Sequence, residues 1–536
     1  MAGTARKILF NTGVQVAAKV IVGLFAVVIL KLLTTYLGKT GYGFYKSIFE
    51  FLALFAIVAD LGLFTIGVRE MSKDREKEAM VLGNLMSIRT IVIVLMAIVA
   101  VIAAIFMPAF QGNIGPIAVA MAGLATIFAI LTGTISSALQ VHLKMEWNSI
   151  ASILGKLVTL GYMLFVIFVW FPHSCDVDSI QFLSSNGSCN ISENNFLQLL
   201  VAAIIGNFVM AAVTFFATRK IVKVTYRFDF KFWKDVIWKA LPYGIALVLN
   251  QVYFRIGSIM LLNMRGPDAV AIYTAPLTIL EAAGIIPLYF MNSILPFLTR
   301  ALQQKDGSHK KIIQYSFDFL MMTALPIVAG TIVLAYQFIA IVSTKEFLSR
   351  LSEGFYGSDI ILQILIFALL FSFLNGLFGY MLVASNHQDK LLWRNLVGAL
   401  ITIVLTWLLI PILDERGAAI ANVITEIYIT VVSFWLAKRY VKFKLNLKTF
   451  WKICLSTAIM ATTLYFAKDF VLNFFGVESL IKQVIAVTGL VGFGAAIYFG
   501  VMLLTRGLTP EMINMIRKRK GGASVASSAE VEDEIK

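Results

Sequence analysis

Residues 33–74, LTTYLGKTGYGFYKSIFEFLALFAIVADLGLFTIGVREMSKD, contain the pattern that determines the fold. The segment leaves an apolar stretch, passes through three closely spaced glycines, continues through a second apolar stretch and ends on charged residues. From residue 47 to residue 68 only Glu50 and Asp60 are charged. A helix of this length can cross a hydrocarbon core of about 30 Å. The segment therefore predicts a helical hairpin whose glycine turn lies at one membrane face.

The composition of the whole chain indicates the same class of protein. Of its 536 residues, 59% are hydrophobic and only 14% are charged, whereas soluble globular proteins average about 25% charged residues. The first apolar run follows Arg6 and Lys7 and has no small-residue cleavage site, so it predicts a transmembrane helix and not a signal peptide. The net charge of +15 does not indicate nucleic-acid binding, because the basic residues lie in short loops. We expect an all-α polytopic membrane protein.

Fourteen apolar runs are predicted to span the membrane. They cover residues 10–33, 44–66, 86–110, 114–139, 149–171, 197–217, 239–262, 269–298, 312–334, 359–385, 391–411, 417–437, 450–470 and 480–504. Lys and Arg concentrate in the connectors 67–85, 218–238, 299–311 and 437–452, and such an excess is typical of cytoplasmic loops. We therefore expect a multi-pass protein of the cell (cytoplasmic) membrane with both termini in the cytoplasm.

An internal repeat organises these spans. Residues 38–45, GKTGYGFY, and residues 266–273, GPDAVAIY, share the spacing of glycine, small residues and tyrosine. Six spans separate equivalent points, so the two halves have the same orientation, and parallel repeats are related by an axis along the membrane normal. The predicted units are an N-terminal lobe at 1–225, a C-terminal lobe at 226–446, two further helices within 447–505, and a basic and then disordered tail at 506–536.

Several of these motifs resemble one family of transporters. Residues 37–45, followed by DLGL at 60–63 and VRE at 68–70, resemble the first hairpin of the polysaccharide (O-antigen type) flippases, in the multidrug/oligosaccharidyl-lipid/polysaccharide exporter superfamily. Segments at 242–244, 253–256, 266–273, 395–411 and 417–421 resemble later spans of that family. The resemblance implies a flippase that moves polyprenyl-(pyro)phosphate-linked oligosaccharide by alternating access around a central cavity. One departure is Gly257-Ser258, where the family often carries an acidic residue.

Two alternative functions stay open. The same superfamily includes cation-coupled multidrug antiporters, whose cavities tend to be acidic and aromatic. An integral-membrane glycan polymerase or glycosyltransferase would act on the same lipid. The chain has no HExxH, GxxxxGK[ST] or GxSxG motif, so we expect no enzymatic activity, cofactor or metal. The expected partners are the lipid-linked substrate, the bilayer, H⁺ or Na⁺, and glycan assembly enzymes, without nucleic acid.

Polar residues inside the spans predict the substrate site. Gln15 and Lys19 share one face of the first span, and Gln251 and Arg255 share one face of the seventh, because each pair is four residues apart. A charge at the bilayer centre costs roughly 2.5–3.5 kcal/mol on insertion scales. If spans 1 and 7 face each other across the repeat axis, their cations suit an anionic pyrophosphate. The predicted substrate-binding residues are Gln15, Lys19, Lys31, Lys156, Gln251 and Arg255.

Four carboxylates in the spans leave two interpretations open. These residues are Glu50, Asp60, Glu281 and Glu426. They would either carry a coupling ion or act as structural counter-ions that pair with Lys19 and Arg255. The sequence does not separate the two interpretations.

The external loop at 172–196 carries two further candidate features. Cys175 and Cys189 would form a disulfide outside the cell or stay as free thiols. Asn186 and Asn190 each begin a glycosylation sequon.

Overall fold

A computed structural model of the chain describes residues 2–507, except 75, 113, 172–192, 305–306, 388 and 476–478. The two loop cysteines, the two sequon asparagines and most of the predicted tail lie outside the described residues. Within the described residues there are α-helices and no β-strand, so the all-α prediction is confirmed. The helices are α1 Ala2–Asp60, α2 Leu63–Lys73, α3 Glu78–Phe106, α4 Ile114–Val141, α5 Glu146–Phe165, α6 Glu193–Arg219, α7 Phe230–Arg265, α8 Pro267–Ala283, α9 Ile285–Gln304, α10 Ser308–Val342, α11 Ser358–Ala384, α12 Asp389–Leu413, α13 Glu415–Val441, α14 Lys448–Phe475 and α15 Leu480–Leu504.

The helices account for the fourteen predicted spans. Thirteen helical segments of the described chain are long and apolar enough to cross a membrane. The first of them, Val14–Lys73, has 60 residues, whereas about 20 residues suffice for one crossing. Its helical geometry is interrupted at Gly38, so the segment makes two crossings. The total is therefore fourteen.

Gly38 and Gly266, the first residues of the two repeated turns, adopt nearly the same unusual backbone conformation. Gly38 has φ 64° and ψ −171°, and Gly266 has φ 85° and ψ −175°. This region of φ/ψ space is essentially restricted to glycine, because a Cβ atom would clash with the backbone. Equivalent positions of the two turns thus make the same bend, and the repeat expected from the sequence is present in the backbone.

The Gly266→Ala variant is expected to lose about 1–3 kcal/mol of stability. No atom lies within 4 Å of a Cβ built at Gly266, so the cost comes from the backbone conformation alone. Thermal unfolding of the purified protein in detergent measures the loss. Gly376→Ala is the matched control, because a Cβ there also meets no atom within 4 Å but the residue lies inside α11. Equal losses in the two variants would contradict the argument.

The helices are grouped into two lobes. In the N-terminal lobe α4 packs against α3 and α6, and α5 packs against α6. In the C-terminal lobe α13 packs against α11 and α12, and α7 packs against α12. The lobes meet where α1 contacts α7 and α8. The last two helices, α14 and α15, pack on each other and on α10, where the Tyr498 hydroxyl donates to the Met322 carbonyl at 2.9 Å.

Two predicted spans are broken helices. The span predicted at 44–66 is interrupted at Leu61 and Gly62, which have φ 38° and 72°. The span predicted at 269–298 divides at Gly284 into α8 and α9. Pro287 follows three residues later; proline has no N–H for the i−4 carbonyl and its ring clashes with that carbonyl. The return helix of each repeat is therefore made of two segments.

Candidate functional site

The two glycine turns meet at one end of the molecule, which we call the turn end. Lys39 Nζ lies 2.9 Å from Asp268 Oδ2, and Thr40 Oγ1 donates to Asp268 Oδ1 at 2.6 Å. Thr40 and Asp268 occupy equivalent positions of the repeat, 228 residues apart. The contact therefore lies at the axis between the lobes.

Gly43 allows the backbones of the two lobes to come into direct contact. A Cβ at this position would lie only 1.9 Å from the Pro267 carbonyl oxygen and 3.2 Å from Ala271 Cβ. Together with the Lys39–Asp268 ion pair, this approach keeps the lobes closed against each other at the turn end.

Lys31, a predicted substrate residue, takes part in the same closure. Its Nζ donates to the Ser343 carbonyl at 2.5 Å, and nearby Thr34 Oγ1 donates to the Val342 carbonyl at 3.3 Å. Both acceptors lie at the end of α10. In this conformation the Lys31 ammonium therefore joins α1 to α10.

Arg255 and two of the four carboxylates come together where α7 meets α1. Arg255 Nη1 lies 2.8 Å from both carboxylate oxygens of Glu50 and 3.3 Å from Glu281 Oε1. Glu50 is only 3% exposed, and it also has Lys46 Nζ at 3.7 Å. In this conformation Glu50 and Glu281 therefore both lie within ion-pair distance of Arg255.

Three lysines form a second part of the same site, the lysine cluster, made of Lys19, Lys46 and Lys156. Lys156 lies on α5, which packs against α1, the helix that carries Lys19 and Lys46. The positive charges of those two lysines act on Lys156, and Lys46 interacts in turn with Arg255. Among the described residues no carboxylate lies within 4.0 Å of Lys19 or Lys156. Glu50 lies within 4.0 Å of Lys46 and Arg255, and Glu281 within 4.0 Å of Arg255. By formal charge, the four cations and these two carboxylates together carry a surplus of two positive charges.

Span 1 was predicted to face span 7, but the structure shows different contacts for these two spans. Gly23 of the first span lies against Ala282 of α8, with 3.9 Å between a Cβ built at Gly23 and the Ala282 Cβ. The second span, through Glu50, is the one that meets Arg255. Gln15 and Gln251 are half-buried and lie one turn before Lys19 and Arg255. Electrostatic interactions between neighbouring cations thus run from Lys19 through Lys156 and Lys46 to Arg255.

Asp60 lies apart from this site, inside the N-terminal lobe. Its carboxylate pairs with Arg89 of α3, with Arg89 Nη2 2.5 Å from Asp60 Oδ1. Arg89 is 3% exposed, and its Nε and Nη1 have no hydrogen-bond partner in the described chain. This pair therefore holds α1 to α3 beside the break at Leu61.

Glu426 lies in a separate polar centre inside the C-terminal lobe. It is 2% exposed, and the Tyr253 hydroxyl donates to its Oε1 at 3.2 Å. Its Oε2 has no partner among the described residues. Arg394 of α12 acts on it electrostatically. The acceptors of the Arg394 guanidinium are neutral: Asn395 Oδ1, Asn375 Oδ1 and Ser433 Oγ.

Sequence reasoning missed Lys46, Arg89 and Arg394. Each stands two or three residues inside the start of a predicted span. Snorkelling explains a basic residue at such a position, and for Arg89 and Arg394 the span also starts on the predicted cytoplasmic side. One signal was available for Lys46, because Glu50 follows it at i+4 on the same helix face. The two arginines had no comparable local signal.

Comparison with known proteins identifies the family of this chain. The model of the polysaccharide biosynthesis protein family matches residues 8–302, more than half of the chain. The chain belongs to the polysaccharide biosynthesis protein family. A second family model, MatE, matches residues 242–408 of this polysaccharide biosynthesis protein.

A curated relative carries a related description. The capsular polysaccharide biosynthesis protein CapF of Staphylococcus aureus is 24% identical over 249 residues, which are 46% of this chain and 60% of CapF. The matched part of this polysaccharide biosynthesis protein thus spans about 60% of the relative's length.

Solved structures share the fold. The lipid II flippase MurJ in an inward closed conformation superposes with a TM-score of 0.65 at 14% identity, covering 92% of this chain and 99% of MurJ. An inward-facing multidrug resistance MATE transporter gives 0.59 at 12% identity, covering 80% and 98%. A superfamily transporter from Pyrococcus furiosus, described as having a binding pocket of reverse polarity, gives 0.53 at 14% identity, covering 81% and 94%. This polysaccharide biosynthesis protein therefore has the two-lobe, all-helical transporter fold.

Proposed function

We propose that this protein is a flippase that translocates a polyprenyl-(pyro)phosphate-linked oligosaccharide across the cytoplasmic membrane by alternating access. The observation that carries the proposal is the lysine cluster, with its surplus of positive charge between membrane-spanning helices. Like charges in such surroundings are costly, and an anionic ligand offsets that cost through charge-assisted hydrogen bonds from the ammonium groups. The family match, to polysaccharide biosynthesis proteins, supports a glycan as cargo.

The proposed cycle uses the contacts already described. Lys19, Lys46 and Lys156 receive the (pyro)phosphate, while Glu50 and Glu281 hold Arg255. The polyprenyl tail stays in the lipid and passes between the lobes. The lobes then rock, the Lys39–Asp268 pair separates, and the headgroup leaves at the turn end. No covalent step is part of this cycle.

The orientation and the partners belong to the same proposal. The turn end faces the outside of the cell and both termini are cytoplasmic, as the basic connectors indicate. Glycan assembly enzymes supply and consume the substrate, and H⁺ or Na⁺ drives net movement. The cation antiporter alternative fits less well, because an organic cation would be repelled by the lysine cluster.

Reconstitution into liposomes with a fluorescent polyprenyl-diphosphate oligosaccharide tests the proposal. Lys46→Gln and Lys156→Gln are each expected to slow translocation by about tenfold or more. A hydrogen bond to a charged group is worth about 1.5–3 kcal/mol, and 1.4 kcal/mol corresponds to tenfold. Lys468→Gln is the matched control, since this lysine lies over the Tyr465 ring on α14, outside both lobes.

The possible results of this experiment test the proposed function and the proposed binding site separately. If the wild-type protein moves no lipid-linked oligosaccharide but moves a labelled organic cation, the flippase proposal is wrong and the antiporter alternative is favoured. If the wild type translocates the lipid and the two cluster variants match Lys468→Gln, the lysine cluster is not the binding site.

A further inference from the structure

The polar centre of the C-terminal lobe contains a carboxylate that the proposed cycle does not use. Glu426 is 2% exposed and its Oε2 has no hydrogen-bond partner in the described chain. An ionised oxygen that is buried without a partner carries a large desolvation cost, whereas a protonated carboxyl group is neutral. Binding of a proton to Glu426 Oε2 would therefore remove the desolvation cost of the buried charge.

The charged and titratable groups around Glu426 come from three helices. Tyr253 on α7 donates to Oε1, Arg394 on α12 supplies a nearby positive charge, and Tyr428 on α13 interacts with Arg394. From α11 the polar centre receives the neutral Asn375. Arg394 makes no hydrogen bond to Glu426, because its donors are directed to neutral acceptors.

These surroundings favour a proton over a metal cation. A hard metal ion takes several oxygen ligands, and at Glu426 it would also be repelled by the positive charge of Arg394, which acts on this carboxylate. A proton needs only the single unpartnered oxygen, Oε2. Arg394 is fixed by Asn395, Asn375 and Ser433, so it stays in place as a constant charge while Glu426 changes its own.

Helix α7 connects this centre to the interface between the lobes. Tyr253 and Arg255 are two residues apart, which places their side chains about 200° apart around the helix. Tyr253 accordingly contacts Glu426 inside the C-terminal lobe, and Arg255 contacts Glu50 of the other lobe. A change in the Tyr253–Glu426 hydrogen bond on one side of α7 therefore acts on the same helix that carries the Arg255–Glu50 ion pair between the lobes.

We propose that Glu426 is the proton carrier that couples translocation to a transmembrane proton gradient. The inference rests on the proposed flippase function. A proton from one side of the membrane binds Oε2, forming an O–H bond, and the same bond breaks when the other lobe arrangement exposes Glu426 to the opposite side. The hydrogen bond from Tyr253 is charge-assisted when Glu426 is ionised and weakens when it is protonated. Protonation thus shifts the population of α7 positions, and with it the Arg255–Glu50 contact.

Infrared difference spectroscopy of the purified full-length protein tests the protonation step without any transport. Between acidic and alkaline buffers all the carboxyl groups of the wild type contribute to a change in the carboxylic-acid C=O stretching band. Glu426→Gln should lack one component of that change, seen as its difference from the wild-type spectrum, and Tyr253→Phe should shift the pH at which that component appears. Asp318→Asn is the matched control, because Asp318 is also buried in a span but, among the described residues, its carboxylate accepts a hydrogen bond only from Gln314 on its own helix. An unchanged spectrum in Glu426→Gln would overturn the inference.

Transport in liposomes tests the coupling. With the fluorescent polyprenyl-diphosphate oligosaccharide and an internal pH dye, a proton gradient is expected to raise net translocation by the wild type and by Asp318→Asn. Glu426→Gln, which mimics the protonated form, should retain downhill exchange and lose the response to the gradient. Wild-type translocation that follows a sodium gradient, or that ignores the proton gradient, would overturn the inference and leave the flippase function standing. Absence of any wild-type translocation would instead remove the proposed function, and this inference with it.

Discussion

The Gly43→Ala variant is expected to hold the two lobes apart at the turn end. The added Cβ would lie 1.9 Å from the oxygen and 2.6 Å from the carbon of the Pro267 carbonyl. Both are backbone atoms, so neither can rotate away as the end of a side chain could. Overpacking of this kind costs typically about 1–3 kcal/mol, and the closed conformation bears that cost alone.

The shift in population is measurable by labelling. A cysteine introduced by Thr40→Cys, which is half-buried in the closed contact, should react about tenfold faster with a membrane-impermeant maleimide when Gly43→Ala is present, since 1.4 kcal/mol is a factor of ten. The same chain without Thr40→Cys gives the background from native cysteines. Gly161→Ala serves as the control, because a Cβ built there on α5 meets no atom within 4 Å. Equal labelling rates in the two glycine variants would show that the turns do not need this close approach.

Removing the charge of Asp60 should cause a second large effect, on stability. Asp60→Asn leaves Arg89 buried at 3% exposure without its carboxylate partner. Removing one member of a buried ion pair costs about 3–5 kcal/mol, because an uncompensated charge stays buried. Thermal or denaturant unfolding in detergent should show this loss.

Two comparisons make the stability result specific. Asp235→Asn removes a carboxylate from an exposed pair with Lys239, whose side chains are 57% and 48% exposed, and exposed pairs are worth only about 0–1 kcal/mol. Adding Arg89→Met to Asp60→Asn should recover much of the loss, since replacing both buried charges is often neutral. A loss for Asp60→Asn as small as that of the exposed pair would refute a role for the Asp60–Arg89 bond.

The sequence predicts the helices and the repeat because both depend on local information. Hydropathy sets each span, and the spacing of Gly38 and Gly266 from the tyrosines that follow them identifies the two turns. The contacts of the charges depend on tertiary packing instead. Glu50 and Arg255 are 205 residues apart, and several cations were available to each carboxylate. The sequence could name Glu50 as a candidate counter-ion, but it could not assign Arg255 as its partner.

The same limit explains the shift of the candidate site away from the predicted pair of helices. Face patterns placed Lys19 and Arg255 correctly on their own helices, yet no pattern within one helix reports how neighbouring helices rotate. Lys156 was among the predicted substrate residues. Lys46, which interacts with both Lys156 and Arg255, was not, because it stands near a span end where snorkelling explains a basic residue. Helix packing decided their position.

The contact between Thr40 and Asp268 also bears on how the two halves diverged. Positions related by a two-fold axis meet their own counterparts, so a chain with identical halves would place two identical side chains face to face. Two carboxylates there would repel each other, and two threonines would lack the charge that attracts Lys39. The present contact is attractive because one half carries a hydroxyl and the other an acid. After duplication of a six-span unit, an attractive contact of this kind at the axis becomes available only once the two copies of the turn differ in sequence.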